Sequence, residues 1–217
     1  MTLESFSGVY DDERVGEIVI VDDASDWGLY TDLKDKCALL PKVKLYRNLT
    51  NCDCYVNKAN AISYASNDYC ILLDSDNIID KSYIDNIFDY NWHPECIIAP
   101  VYAAPNFDYR EFEGMVVTKE NVAELMNRKM FSTALNTANY FVNGFSYIGV
   151  WDAETDPVTS DSIFMAYQWL SKGYQILFSP GLTYQHRVHP GSHYQTQNHR
   201  TPQGFHESIL QKLKELK

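Results

Sequence analysis

An α/β fold, with a mostly parallel central sheet flanked by helices, is what this sequence predicts. Two observations carry the prediction. Through the first half of the chain, short apolar runs alternate with segments of helical periodicity, the pattern of successive βαβ units. Two of those runs also end abruptly in paired acids. Glu17-Ile18-Val19-Ile20-Val21 runs into Asp22-Asp23, and Tyr69-Cys70-Ile71-Leu72-Leu73 runs into Asp74-Ser75-Asp76. The second run has no charge before its acids and fits a strand buried on both faces of a parallel sheet. Open α/β sheets bind ligands beyond the carboxyl ends of their strands.

The elements follow in order. After the strand at 17–21 comes a helix near 29–38 and a short strand near 42–46. A helix over 56–66 leads into the strand at 69–73. Tyr83, Ile84, Ile87 and Phe88 then recur at helical spacing. Residues 96–101 read as a strand, and Val122, Leu125 and Met126 mark a helix. Residues 139–151, rich in Tyr, Phe and Gly, read as strand and loop. A helix over 161–172 closes on Gly173 as its C′ residue, and strands follow near 175–178 and 182–186. A last helix starts near Pro202 and sets Phe205, Ile209, Leu213 and Leu216 on one face.

Composition narrows the classes. The chain has 217 residues, 45% of them hydrophobic, enough for one globular core, so 1–217 is expected to be a single domain. The net charge of −11 and the lack of a basic patch argue against a nucleic-acid partner. Five cysteines, an odd number, do not form a disulfide framework. Cys52-x-Cys54 lacks the second pair that structural zinc needs. Reduced thiols in a reducing compartment are the simple reading. No run of 18 apolar residues and no signal peptide is present, so the expectation is a soluble chain without an integral membrane segment.

The acid junctions carry the chemistry. On a strand, Asp74 and Asp76 at i, i+2 leave on the same side and converge. Two convergent carboxylates suit a hard divalent cation. Asp is also a good turn residue, but two such junctions in one short chain favour a built site.

The segments VDDAS (21–25) and NKANAISYASNDYCILLDSDN (57–77) resemble the nucleotide-sugar glycosyltransferases of the GT-A fold, in particular family 2. That family shows an EIIVVDDGS-like segment and an ARNxGIxxAxGEYILFLDSDD-like segment with an Asp-x-Asp motif. Lys58 stands where the family has Arg, and Ala61 where it has Gly. Ala65 matches its Ala, and Asp68-Tyr69 stands for Glu-Tyr. Gly149-Val150-Trp151-Asp152 is similar to the family's GGFDE, and the likeness resumes at Lys172-Gly173-Tyr174 and Tyr184-Gln185-His186. It spans residues 15 to 190. Members open with a strand and a Pro-containing loop followed by a helix. Residues 1–7 resemble the end of that helix, so the first family strand is expected to be missing.

The resemblance implies a metal-dependent glycosyltransferase. It would move a sugar from a nucleotide-diphosphate donor, a UDP-sugar, to a glycan or other hydroxyl acceptor, with inversion. The nucleotide-binding half would lie at 1–101, the acceptor and catalytic half at 102–200, and a C-terminal helix at 202–217. Asp76, helped by Asp74, would hold Mn²⁺ or Mg²⁺. Asp22 or Asp23, with Asp23 favoured, would accept the uracil imide N–H. Lys58 would lie near the diphosphate, or else be a solvated helix lysine. His186 is the third candidate metal ligand, since imidazole suits Mn²⁺, with His189 as its alternative and Arg187 beside them as a phosphate partner.

Asp161 is the candidate general base. Inverting members carry Glu-Asp just before a helix ending in Lys-Gly-Tyr, and Ser160-Asp161-Ser162 stands there. A carboxylate at a helix N-terminus stays ionised, although Asp161 or Ser160 would equally serve as an N-cap. Asp152, Glu154 and Asp156 are the substitutes. Trp151 is placed either to stack on a sugar face or in the core. Two other functions compete. One is a non-catalytic module that binds a sugar nucleotide or glycan. The other is a sugar-phosphate nucleotidyltransferase, whose Gly-rich basic loop is not visible here. Location is expected to be the cytoplasm, or a soluble catalytic domain of a larger protein.

Overall fold

The computed structural model describes residues 7–188 and 197–217. A short α1 (Ser7–Tyr10) precedes β1 (Ile18–Asp22). Helix α2 (Trp27–Cys37) then crosses to β2 (Val43–Arg47). The two strands are parallel, with Ile18 opposite Val43 and Asp22 opposite Arg47. Helix α3 (Asp53–Tyr64) buries Tyr55, Ala59 and Ile62, a stripe at helical spacing, and delivers the chain to β3 (Tyr69–Ile71). After the acid pair, α4 (Lys81–Phe88) starts on Asp80, whose side chain accepts from the backbone N–H groups of Ser82 and Tyr83.

The second half supplies β4 (Cys96–Ala99), β5 (Tyr102–Ala104), β6 (Phe107–Asp108) and β7 (Val116–Val117). Two short helices follow, α5 (Val122–Leu125) and α6 (Phe131–Leu135). Then come β8 (Phe141–Asn143), α7 (Gly144–Val150) and α8 (Asp161–Ser171). The chain closes with β9 (Gln175–Phe178), β10 (Thr183–Gln185) and α9 (Phe205–Glu215). Among the described residues, β3-β8-β4-β9-β7 form one sheet and β10-β5-β6 another. Helix α8 is the central packing element. Trp169, with no exposed surface, donates its Nε1 to the Gln175 carbonyl at 2.8 Å, and truncating a buried Trp of this kind costs about 3–5 kcal/mol. The helix ends where Gly173 adopts φ +86, the left-handed turn expected of a C′ residue. Helix α9 buries Ile209 and Leu213.

Three expectations change. The central sheet is mixed rather than mostly parallel. In it only β4 and β9 run parallel, while β8 lies antiparallel to both β3 and β4, and β7 to β9. Side-chain periodicity records which face is buried, not which way a partner runs, and β8 arrives from a long excursion free to insert in the opposite sense. Second, β3 stops at Ile71 and is half-buried. Leu72 still donates to the Tyr140 carbonyl at 2.9 Å, after which the backbone leaves the ladder. Third, residues 144–150 form a helix. Asn143 caps it, accepting from the Ser146 N–H at 3.1 Å. The helix is hard to read because Gly144 and Gly149 lower its propensity, and Phe145 and Ile148 face outward while Tyr147 is buried, so its apolar residues do not keep to one face. Among the described residues, no helix is long and apolar enough to cross a membrane, and all five cysteines are free.

Candidate functional site

Asp74 and Asp76 do not converge as alternate residues of a strand. Asp74 lies past the end of β3, and Asp76 sits in a turn closed by the Asn77 N–H on the Asp74 carbonyl at 3.0 Å. The turn is braced from two sides. Ile78 exchanges both backbone hydrogen bonds with Gln185, at 3.0 and 2.9 Å, so the acid turn is stitched to the end of β10. Asn77, almost fully buried, accepts from the Arg187 N–H at 3.2 Å. Behind the turn, the Asn139 Oδ1 accepts from the Asp74 N–H at 2.9 Å, and its Nδ2 lies 3.4 Å from Asp74 Oδ2. Tyr83 fixes Asn139 in turn by donating its hydroxyl to the Asn139 carbonyl at 2.8 Å.

Lys58 is not a solvated helix lysine. Its ammonium lies 3.0 Å from Asp74 Oδ1 and 2.7 Å from Asp161 Oδ2, and only 15% of its side chain is exposed. Burial alone would lower its pKa, but the facing Asp161 and Asp74 carboxylates outweigh that and hold it well above the ordinary lysine value. Asp161 is the first residue of α8 rather than its cap. Ser160 holds the cap position and makes no side-chain cap bond there; its hydroxyl meets His206 Nδ1 at 3.2 Å. Beside this pair, the Cys54 thiol is pushed up to about 12 by burial and by the Asp161 charge.

The two acids at the end of β1 have different surroundings. Asp22 is buried and taken up by Arg47, whose Nη1 is 2.9 Å from its Oδ2, and by the Ser25 N–H at 3.2 Å. The Arg47 guanidinium itself lies 4.5 and 4.4 Å from the Trp27 and Tyr30 rings, which meet edge to face beside it. Asp23 turns its Oδ1 to three donors: Asn48 Nδ2 at 2.8 Å, the Cys52 N–H at 3.0 Å and the Cys52 Sγ at 3.1 Å. All three of these bonds fall on Oδ1 rather than Oδ2. Asn48 is bound to Asn57 and Asn60 at 2.9 and 3.1 Å, so three asparagines set the orientation of one aspartate. Between Asp23 and Ser25, Ala24 holds φ 58, the left-handed region, at the position where the family has glycine.

His186 follows β10 and reaches the same edge. Its N–H bonds the Ala104 carbonyl at 2.8 Å, and its Nδ1 lies 2.9 Å from Asn106 Nδ2. Partial burial lowers its pKa, partly offset by the Asp76 and Asp74 charges. His189, its alternative, lies outside the described residues. Among the described residues, no three His, Cys, Asp or Glu side chains group closely enough to hold a metal by themselves. Mg²⁺-type sites use one or two carboxylates and complete their shell with substrate phosphates. The hard oxygen donors of Asp74 and Asp76 fit that requirement.

The substitutes for the base serve turns. Asp152 accepts from Thr155 Oγ1 at 2.6 Å, the main cause of its lowered pKa, and from the Glu154 N–H at 2.9 Å. Asp156 accepts from the Val158 N–H at 3.1 Å, and Glu154 is exposed. Trp151 packs onto the core with its ring 5.7 Å from Tyr55. Asn48, Asn57, Asn60 and Asn139 escape sequence reasoning. The NKAN and TANY strings offer no charge to notice, and only contact with an aspartate gives these amides a role.

The mixed α/β architecture, with an acid turn past the end of β3 and a second acid pair at the end of β1, is that of the GT-A fold glycosyltransferases it superimposes on. The chain belongs to glycosyl transferase family 2, whose sequence profile matches residues 4–113. Among solved structures, the fold is shared with S. aureus TarS 1-349 in complex with UDP-GlcNAc, at 17% identity and TM-score 0.62, over 89% of this chain and 56% of that one. It is shared with the mannosyltransferase PcManGT from Pyrobaculum calidifontis in complex with GDP-Man and Mn²⁺, at 14% identity and TM-score 0.62, over 98% and 65%. GalNAc-T7 with UDP, GalNAc and Mn²⁺ matches at 14% identity and TM-score 0.56, over 91% and 44%. The chain spans about two-thirds or less of the length of these proteins. No curated protein matches the sequence.

Proposed function

We propose that this chain transfers a sugar from a nucleoside-diphosphate donor, a UDP-sugar, to a glycan or other hydroxyl acceptor, using Mn²⁺ or Mg²⁺. Family membership supports glycosyl transfer, and the UDP and Mn²⁺ complexes of its structural neighbours support the donor and metal classes. The observation that carries the reading is the convergence on Lys58. One ammonium is within ion-pair reach of Asp74, in the acid turn, and of Asp161, on the first turn of α8. Transfer requires a neutralised leaving diphosphate and an acceptor that loses a proton, and this edge offers groups for both.

Asp74 and Asp76 would hold the cation, with His186 beside them, and the cation would supply charge neutralisation of the diphosphate. Asp23 Oδ2 would read the uracil imide N–H. Asp22 serves this pocket by fixing the loop through Arg47. Asp161 would take the acceptor proton, and a single displacement with one base gives inversion. The whole chain acts as one domain, and five free thiols suit a cytoplasmic location.

The test is turnover of a panel of UDP-sugars, with GDP-mannose as the contrasting donor, with and without Mn²⁺. Stimulation by Mn²⁺ and preference for a UDP-sugar are expected. Preference for GDP-mannose would overturn the uridine assignment. Nucleotide binding without turnover on any acceptor would point to a binding module instead.

A further inference from the structure

Lys58 joins parts of the site that come from three elements. It projects from α3 and meets Asp161 Oδ2 at 2.7 Å and Asp74 Oδ1 at 3.0 Å. The two carboxylates carry more negative charge than one ammonium neutralises, so they compete for it. They are also the less mobile partners. Asp74 is anchored by its N–H on Asn139 at 2.9 Å, and Asp161 is fixed on the first turn of α8. The ammonium, at the end of a flexible stem, is the part that can shift between them.

We propose that Lys58 is a positioning residue that couples cation binding at the acid turn to Asp161. An ammonium and a divalent cation that seek the same Asp74 oxygen repel each other. Asp161 draws the ammonium away from Asp74 and so leaves that carboxylate more available to the cation. Conversely, a cation on Asp74 shifts the ammonium toward Asp161. The metal-side carboxylate and the candidate base therefore do not act independently. This inference rests on the reading of Asp74 as a cation ligand.

The test needs no turnover. Mn²⁺ alone is titrated into the protein, following the signal of free Mn²⁺ by electron paramagnetic resonance. Four proteins are compared: the unsubstituted chain, Asp161→Asn, Lys58→Met and the double variant. Loss of Asp161 leaves the ammonium wholly on Asp74, so Asp161→Asn should weaken Mn²⁺ binding by about 5-fold or more, the lower end of typical site-to-site coupling. In the Lys58→Met background the same Asp161 change should have little effect, an outcome that a merely structural role for the pair does not produce.

Lys58→Met alone leaves the buried Asp161 carboxylate without its cation and is the variant at risk of not folding, which a circular-dichroism melt checks. The comparison then becomes Asp161→Asn against the double variant, which removes both charges and should bind Mn²⁺ more tightly. Equal affinities in that comparison, or an unchanged affinity in Asp161→Asn, overturn the coupling and leave the acid turn as a metal site. Failure of the unsubstituted protein to bind Mn²⁺ overturns the cation reading, and the coupling with it.

Discussion

Replacing Asn139 with alanine tests the support behind the acid turn. Asn139 is 2% exposed, and its Oδ1 accepts the Asp74 N–H at 2.9 Å. Alanine leaves that N–H without its acceptor in a half-buried turn. An unsatisfied buried donor costs about 1–3 kcal/mol. For a chain of this size, each kcal/mol lowers the melting temperature by about 2–4 °C, so a fall of about 2–12 °C is expected. The bond from the Tyr83 hydroxyl goes to the Asn139 backbone carbonyl and survives the change. Asp74 also loses the Asn139 amide near its Oδ2 and keeps Lys58 as its remaining anchor. Mn²⁺-dependent UDP affinity should therefore fall with stability. Asn139→Asp separates the two effects, because it keeps an acceptor for the N–H but sets a second negative charge beside Asp74. Differential scanning fluorimetry and calorimetry with UDP and Mn²⁺ read both quantities. A melting temperature within a degree of the original, together with unchanged Mn²⁺·UDP affinity, would refute the role given to Asn139.

Four further outcomes follow from the same geometry. Asp76→Ala should abolish Mn²⁺-dependent binding of UDP, because one carboxylate is left to hold the ion; calorimetry that finds the affinity unchanged removes Asp76 from the metal site. UDP should bind more tightly than CDP, whose ring has no imide donor, and Asp23→Ala should erase the preference; equal binding by the unsubstituted protein ends the uridine assignment. Asp161→Asn should cut turnover by about 100-fold or more, the usual worth of a general base, with the donor KM changed far less; a normal rate would make Asp161 a structural partner of Lys58. Ala24→Gly should raise the melting temperature by a few degrees, since a non-glycine residue in the left-handed region costs about 1 kcal/mol or more; a thermal melt showing a loss of stability would contradict the strain read at φ 58.

The family and the two strand-to-acid junctions were legible in the chain because they depend on local order. A strand that ends in Asp22-Asp23, another that ends in Asp74-Ser75-Asp76, and a helix closed by Gly173 are properties of short segments. Hydrophobic period, turn chemistry and motif spacing report those directly. The same local reading mistook how Asp74 and Asp76 are presented, because the point where a strand ends is decided by the backbone partner beside it. Here that partner is Tyr140, whose carbonyl holds Leu72 and nothing beyond it.

What only the tertiary structure decided is the environment of each charge. Asp22 and Asp23 are adjacent and chemically identical, yet one is neutralised by Arg47, packed on two aromatic rings, and the other is oriented by asparagines. Lys58 and Asp161 lie 103 positions apart and meet in an ion pair. Asn139, an uncharged residue in an aromatic stretch, proves to hold Asp74 from 65 positions away. Local sequence carries no record of such pairs, because the contact is made by strands and helices packing edge to face. The competition between burial and a facing charge, which holds Lys58 ionised, exists only once both carboxylates have been brought to it.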